Sequence, residues 1–296
     1  MKNPRQSYIY AIITVLLWST VPTAFKTGLN EIPLLPFLTI ASGTSMMVLF
    51  TILVFGGKIS SVKKSTGRDI INSAVLGFIN PFLYYLILFK AYQLLPAQVA
   101  QPLNMIWPII LVFLSVPLLG QKIKSKSFIA LIISFAGVYV ISSQGELFNT
   151  GKSDIKGVLL ATGSSIFWAF YFILNVRDKR DEAVKLFLNF LFGSAYLIIA
   201  LVITGGLNMP EVNLKGIAAS VYVGIFEMGI SFLFWLRALQ LASSTDKVSN
   251  LAYISPLLSL VFVHFILKEP VYYTTLLGLI LIITGIWIQS HNPQRA

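Results

Sequence analysis

The chain has no cysteine. Disulfide scaffolds, structural zinc ribbons and thiol catalysis are therefore excluded, and no redox compartment can be read from thiol usage. Charge is scarce as well: 11% of the 296 residues are charged, where soluble domains carry about 25%. Acids are the rarer sign, 11 against 22 Lys and Arg. His264 has no other His, Cys or acid placed to share a metal with it, so no metal is expected. The basic residues are scattered over short segments with no soluble module among them, which argues against nucleic-acid binding. Gly145 to Gly151-Lys152-Ser153 imitates a phosphate-binding loop, but five residues separate the glycines where the motif needs four, and no ATP site is expected. HExxH and GxSxG are both missing, which leaves a hydrolase little support, and no cofactor is expected.

What is present is apolar surface: 56% of residues are hydrophobic and the mean hydropathy is +0.80. Lipid offers no partner to backbone N–H and C=O groups, so a spanning segment is a helix of about 20 apolar residues. Ten such runs occur, at 8–28, 34–55, 70–92, 96–119, 127–144, 156–176, 184–205, 214–242, 245–267 and 271–290. They are continuous rather than alternating, which disfavours a β-barrel. The first run is longer than a signal-peptide core and is expected to be retained. The expectation is an all-α membrane protein with ten transmembrane helices.

Positive charge on the connectors sets orientation. One side collects fifteen Lys and Arg, among them Arg5, Lys58, Lys63, Lys64, Arg68, Arg177, Lys179 and Arg180; the other holds five, Lys26, Lys152, Lys156, Lys215 and Lys268. Both termini are thus expected in the cytoplasm, in a cytoplasmic (inner) membrane. A cysteine placed at Ser61 is expected to be shielded from an impermeant reagent outside the cell, and one at Ser153 to react.

The two halves resemble each other at a nearly fixed spacing. Trp18 matches Trp168 at an offset of 150, Lys90-Ala91 matches Arg237-Ala238 at 147, and Trp107-Pro108 matches Ser255-Pro256 at 148. This divides the chain into a first five-helix unit over 1–145, an outward-facing connector over 146–155 and a second unit over 156–296. Five is odd, so the second unit starts on the opposite membrane face and the repeat is inverted. Inverted repeats permit one packing in two directions, around a site near the bilayer midplane.

Leu17-Trp18-Ser19-Thr20, Trp107-Pro108, Ser255-Pro256 and the paired Gly137 and Gly285, set in two five-span halves, resemble the EamA family of the drug/metabolite transporter superfamily. The resemblance covers essentially the whole chain. It implies a secondary transporter, often an exporter of amino acids or related metabolites, with a central cavity lined by the first, third, fourth, sixth, eighth and ninth spans. The acidic residue that often closes the fourth span in this family is Gln121 here, whereas Glu269 retains it in the second half.

A charge at the centre of a span costs about 2.5 to 3.5 kcal/mol, so it faces protein or water. Glu227 is the one acid placed mid-span, opposite Asn80 in the repeat; it is either a cavity carboxylate that takes a proton or a substrate ammonium, or half of a structural pair. Gln101, Asn104 and Pro108 share one helix face, with Pro102 and Pro108 freeing carbonyls beside it. With Trp107, and with Asn250 and Tyr253 in the second half, they form a substrate-facing wall or else a set of bonds between helices. Trp18 and Trp168 sit mid-span, to stack on a ligand or to pack, with Tyr171 beside the latter. Lys90 and Arg237 lie ten residues beyond Asn80 and Glu227, about 15 Å along a helix, as gate groups or as snorkelling cations. The expected partners are a small-molecule substrate and the lipid bilayer, and oligomeric state is not readable. The rival class is a membrane enzyme acting on a lipid-borne substrate, with Glu227 and His264 as its acid/base pair.

Overall fold

The computed structural model describes residues 3–120, 125–147, 153–206, 213–242, 248 and 250–290. Among them every regular element is helical. In chain order they are α1 (Pro4–Glu31), α2 (Leu34–Phe55), the short α3 (Ile59–Lys63), α4 (Gly67–Gly77), α5 (Tyr84–Leu94), α6 (Ala97–Asn104), α7 (Trp107–Leu119) and α8 (Ser125–Ser142), followed by α9 (Ile155–Arg177), α10 (Glu182–Ile203), α11 (Leu214–Tyr222), α12 (Ile230–Leu241), α13 (Ile254–Leu267) and α14 (Tyr273–Ser290). A π-helical segment, Phe78–Leu83, joins α4 to α5, and another, Val223–Glu227, lies between α11 and α12.

Among the described residues, six helical segments are long and apolar enough to cross a bilayer: Pro4–Glu31, Leu34–Phe55, Gly67–Leu94, Ile155–Asn175, Glu182–Ile203 and Leu214–Leu239. Shorter apolar helices run over Ser127–Ser142, Ile254–Leu267 and Tyr273–Ile288. The surface is inverted relative to a soluble protein. Ile132, Ile198, Val261 and Ile280 are exposed, while Ser42, Ser45, Asn80 and Asn189 are fully buried. Apolar side chains outside and hydrogen-bonding ones between helices suit a protein solvated by lipid, as in the 2.8 Å bond between the Ser42 and Ser194 hydroxyls. The chain is a multi-pass, all-helical membrane protein.

Helix starts are set by polar caps. Asn3 accepts from the Gln6 amide, Asp154 from Gly157, Asp181 from Ala183 and Asn213 from Lys215, each satisfying an amide that has no partner within its helix. Thr66 and Asp69 cap one another reciprocally at α4, which starts that helix three residues before its apolar run. Between α9 and α10, Asp178 pairs with Arg180 at 2.5 Å, and Asp181 with Lys58 at 2.7 Å. Burial opposes ionisation of Asp178, but the Arg180 bonds and charge outweigh it and hold the carboxyl below its usual range. This contribution to stability is present above the ordinary carboxylate value and is lost as pH falls through the lowered one.

Helix pairing has a reciprocal pattern. α1 packs on α11, α12 and α13; α9 packs on α5, α6 and α7. α2 lies against α10, α8 against α14, α10 also against α4, and α2 also against α11. The closest approaches recur at the same spacing. A β-carbon on Gly77 would lie 2.4 Å from the Asn189 carbonyl oxygen, and one on Gly224 would lie 2.4 Å from that of Ala41. Gly137 and Gly278 face each other's carbonyls at 2.6 Å on the same measure, and Gly285 meets the Ala130 carbonyl at 2.7 Å. Gly137 and Gly285 thus let helices approach closely.

Candidate functional site

Three helices are interrupted near the site, and two of the interruptions contribute to its walls. Proline has no N–H and clashes with the carbonyl four residues before it. Pro108 therefore leaves the Asn104 carbonyl without a helical partner, and the fourth apolar run breaks there into α6 and α7. Ser165 on α9 supplies the missing donor: its hydroxyl bonds the Asn104 carbonyl at 2.8 Å. The Asn104 side chain is fixed at both ends, with Nδ2 donating to Ser164 Oγ at 2.7 Å and Oδ1 accepting from Tyr84 at 3.4 Å. In the other two interruptions the helix widens. Asn80 has extended backbone angles, φ −147° and ψ 121°, inside the first π segment, and the Met228 amide reaches back to the Val223 carbonyl at 3.0 Å around the second. Glu227 ends that second segment.

A central cavity of about 100 Å³ lies among these segments: Asn104, Trp107 and Glu227 line it, whereas the first π segment supplies no wall residue and Tyr84, which follows it, does. A single water needs roughly 10–15 Å³ on this measure, so the space admits several waters or a small organic solute. Its walls include Trp18, Gln101, Asn104, Trp107, Trp168 and Glu227, with Phe25, Tyr84, Tyr92 and Ser255. The Tyr85 hydroxyl donates to Glu227 Oε1 at 3.2 Å. Glu227 Oε2 is buried without a hydrogen-bond partner among the described residues. Gln101 Oε1 accepts from Ser259 on α13. A second cavity, of about 170 Å³, adjoins the first through Trp18, Trp107 and Trp168 and continues past Tyr171, Asn175 and Trp235 to the Glu182–Lys185 pair, 2.6 Å apart.

Six of the expected residues, Trp18, Gln101, Asn104, Trp107, Trp168 and Glu227, thus meet at one cavity. Tyr171 lines the second and accepts from Asn189 at 3.3 Å. Asn80 is fully buried and lines neither cavity; its carboxamide lies near the Tyr171 hydroxyl without reaching hydrogen-bond geometry with any described residue. The side chains of Asn250 and Tyr253 lie outside the described residues, as does Gln121. Lys90 is exposed, with its ammonium on Gln93 at 3.1 Å, and Arg237 is exposed; neither is among the described walls of either cavity. Trp18 and Trp168 both pack and line. Trp18 lies 5.1 Å from Trp235, and Trp168 lies 5.1 Å from Tyr84 and 5.3 Å from Phe232, ring centre to ring centre.

Sequence reasoning did not single out Tyr84, Tyr85, Tyr92 or Phe25. The usable signal was position, since Tyr84 and Tyr85 follow Asn80-Pro81 by about one helical turn. A second missed cluster closes the chain around the start of α6. Glu269 accepts from the Ala97 and Gln98 amides at 3.1 and 3.3 Å. Lys26 donates to the carbonyls of Tyr92 and Leu95 at 2.6 and 2.9 Å, and Gln98 is held by Tyr272, Thr275 and the Pro270 carbonyl. An acid on a helix N-terminus and a cation on a helix C-terminus both complement the backbone dipoles. His264 is exposed, with Nδ1 at 3.1 Å from the Glu269 carbonyl, away from Glu227.

The profile of the EamA-like transporter family matches over residues 5–143 and again over 155–290. Relatives along nearly the full length include an uncharacterized transporter of Clostridium kluyveri, 24% identical over 99% of this chain and 95% of its own, and the uncharacterized transporter YvbV of Bacillus subtilis, 28% identical over 99% and 94%. The aromatic amino acid exporter YddG of Ancylobacter novellus is 24% identical over 83% of each chain. A crystal structure that is 19% identical superposes over 97% of this chain and 96% of its own with a TM-score of 0.68, a likeness of fold.

Proposed function

Because this chain belongs to the EamA-like transporter family, we propose that it is a secondary active transporter, an exporter of small metabolites such as amino acids or related compounds. It works by alternating access around the central cavity, without enzymatic chemistry. The observation that carries this reading is the cavity itself: a solute-sized space among broken helices, with an unpaired carboxylate oxygen at its wall. A buried charge is costly in a membrane, and broken backbone is tolerated there where it meets protein or a wet cavity. Export is supported by the likeness to the Ancylobacter relative, an aromatic amino acid exporter.

The architecture proposed is ten spans in two inverted five-helix repeats, 1–145 and 156–296, joined by the connector 146–155. Support comes from the family profile matching twice, from the exchange of partners between α1 and α9, and from π segments at Asn80 and Glu227, 147 residues apart. Substrate contact is assigned to Trp18, Gln101, Asn104, Trp107, Trp168, Tyr171 and Glu227, with Asn250 and Tyr253 as further members; Asn80, expected among them from the sequence, lines neither cavity and is left out. Glu227 is the coupling group, and it exchanges a proton for substrate. Lys90 and Arg237, exposed on their helices, fit snorkelling better than gating. The enzyme alternative needs Glu227 and His264 side by side, and the exposed His264 on the Glu269 carbonyl does not favour it. Flux of labelled amino acids and related metabolites into proteoliposomes tests the function: an unchanged solute crossing the bilayer is expected, and a chemically altered product sinks the assignment.

Both termini are assigned to the cytoplasm of the inner membrane, and a chain without native cysteine makes orientation simple to test. Ser61 is exposed on α3, but Ser153 is buried against Gln144, so the exposed Lys156 is the better position on the opposite face. In intact cells Lys156→Cys is expected to react with an impermeant maleimide and Ser61→Cys to react only after lysis. The reverse pattern inverts the assigned topology.

A further inference from the structure

We propose that the central cavity accepts an organic cation, an amine carried on an aromatic or apolar body, with Glu227 as its counter-charge. This rests on the cavity being the solute site and, within the small metabolites proposed above, puts the related amines in place of the amino acids.

Charge at the wall is one-sided. Glu227 is the only ionisable acid or base among the described lining residues, apart from tyrosine hydroxyls, and its Oε2 is buried without a partner. Tyr84, Tyr85 and Tyr92 face it from α5, and none brings a positive charge. The neighbouring cations are engaged elsewhere. Lys26 donates to the Tyr92 and Leu95 carbonyls, and Lys185 to the Asn175 and Asp178 carbonyls beside Glu182. A carboxylate held in low dielectric without a cation attracts one strongly. Aromatic rings, whose faces attract cations, make up much of the rest of the wall: Trp18, Trp107, Trp168, Phe25, Tyr84 and Tyr92. Cations bind over such faces, most strongly over tryptophan.

No positive charge stands at the described wall to receive an anionic group: the donors its residues carry are neutral, the Asn104 and Gln101 amides, the Ser255 hydroxyl and the tryptophan N–H groups, and Asn104 Nδ2 already gives one of its two hydrogens to Ser164. The start of α7 would be the usual dock for a carboxylate, since helix N-termini present free amides. Here Pro108 has no N–H, and the Ile109 and Ile110 amides already bond the Ile106 carbonyl. A zwitterion would bring its carboxylate beside Glu227 with only neutral donors to receive it, and like charges so placed repel. The geometry therefore selects amines over the corresponding amino acids and acids.

Four ligands sharing one ring separate these cases: 2-phenylethylamine, phenylalanine, 3-phenylpropionate and 2-phenylethanol. Each is titrated by calorimetry at neutral pH into the purified full-length protein, with protein-free micelles as the baseline. The amine is expected to bind at least about tenfold more tightly than the other three, as a charge-assisted hydrogen bond in a desolvated site implies. Glu227→Gln is expected to bring the amine to the level of the neutral alcohol, and Glu227→Asp to retain part of the preference; an unchanged unfolding midpoint shows that both variants fold. Equal or tighter binding of phenylalanine or phenylpropionate, an amine preference that survives in Glu227→Gln, or no detectable amine binding overturns the proposal. Proteoliposome flux is read separately. Amine binding without flux of any solute counts against the transporter reading alone, and flux of an anion or zwitterion in preference to the amine counts against the cation assignment alone.

Discussion

Glu227→Gln is expected to reduce substrate flux by about a hundredfold or more while the protein remains folded and monodisperse. Glutamine keeps the volume of the side chain and an oxygen that can accept from Tyr85, now bonded to Glu227 Oε1 at 3.2 Å. It removes the charge and the titratable proton. A charged group buried in a span is a cost to folding, about 2.5 to 3.5 kcal/mol on insertion scales, so neutralising it does not threaten the fold. Function loses the counter-charge for substrate, about 1.5 to 3 kcal/mol for a hydrogen bond to a charged group, and the exchange of proton for substrate as well. The measurement is initial flux as a function of pH in proteoliposomes carrying equal amounts of wild type and variant. Wild-type rates with a wild-type pH profile would remove Glu227 from the mechanism. Tyr85→Phe, which takes away one donor and leaves the charge, is expected to have a much smaller effect.

The second large effect falls on folding. Gly77→Ala and Gly224→Ala are each expected to destabilise by about 1 to 3 kcal/mol, more where backbone must move. The added carbon would lie 2.4 Å from a backbone carbonyl in both cases, that of Asn189 facing Gly77 and that of Ala41 facing Gly224. Neither obstacle is the end of a side chain that can swing aside, because helix α10 or α2 would have to shift as a body. Gly43→Ala provides the contrast. It lies within α2 with nothing within 4 Å of the added carbon, and alanine in a helix interior gains about 0.5–1 kcal/mol over glycine. Thermal unfolding in detergent is expected to separate the two classes, with lower midpoints for Gly77→Ala and Gly224→Ala and an equal or higher midpoint for Gly43→Ala. Equal midpoints in all three variants would mean that these helices are not in close contact.

Much of this was legible because a bilayer enforces simple rules. The membrane class followed from the apolar runs, and each of the six long helical segments overlaps one of them. Glu227 stood out because few acids occur and a mid-span charge demands a role. Trp18 and Trp168 stood out because they recur at one offset. Cavity partners separated by long stretches of chain were not legible. Glu269 caps α6 from a position 172 residues beyond Ala97, and no local pattern encodes such a contact. Tyr84, Tyr85 and Tyr92 were passed over because tyrosine in an apolar helix is unremarkable until the adjoining π segment turns it inward. The break in the fourth run was half legible. Pro108 marks where a carbonyl must be freed, but its rescue by Ser165 depends on α9 lying alongside. Asn80 was matched with Glu227 in the repeat, and both lie in π segments, yet Asn80 is buried beside Tyr171 rather than on a cavity wall.

The most direct test of the central claim, that this cavity carries a small solute across the bilayer, is uptake of labelled solutes by proteoliposomes, with product identity checked by mass spectrometry. The panel spans amines, amino acids and organic acids. The expected result is accumulation of at least one solute, chemically unchanged and above protein-free liposomes, driven by an imposed proton or substrate gradient and lost in Glu227→Gln. Uptake equal to that of protein-free liposomes across the panel, or conversion of a solute without its translocation, would contradict the claim.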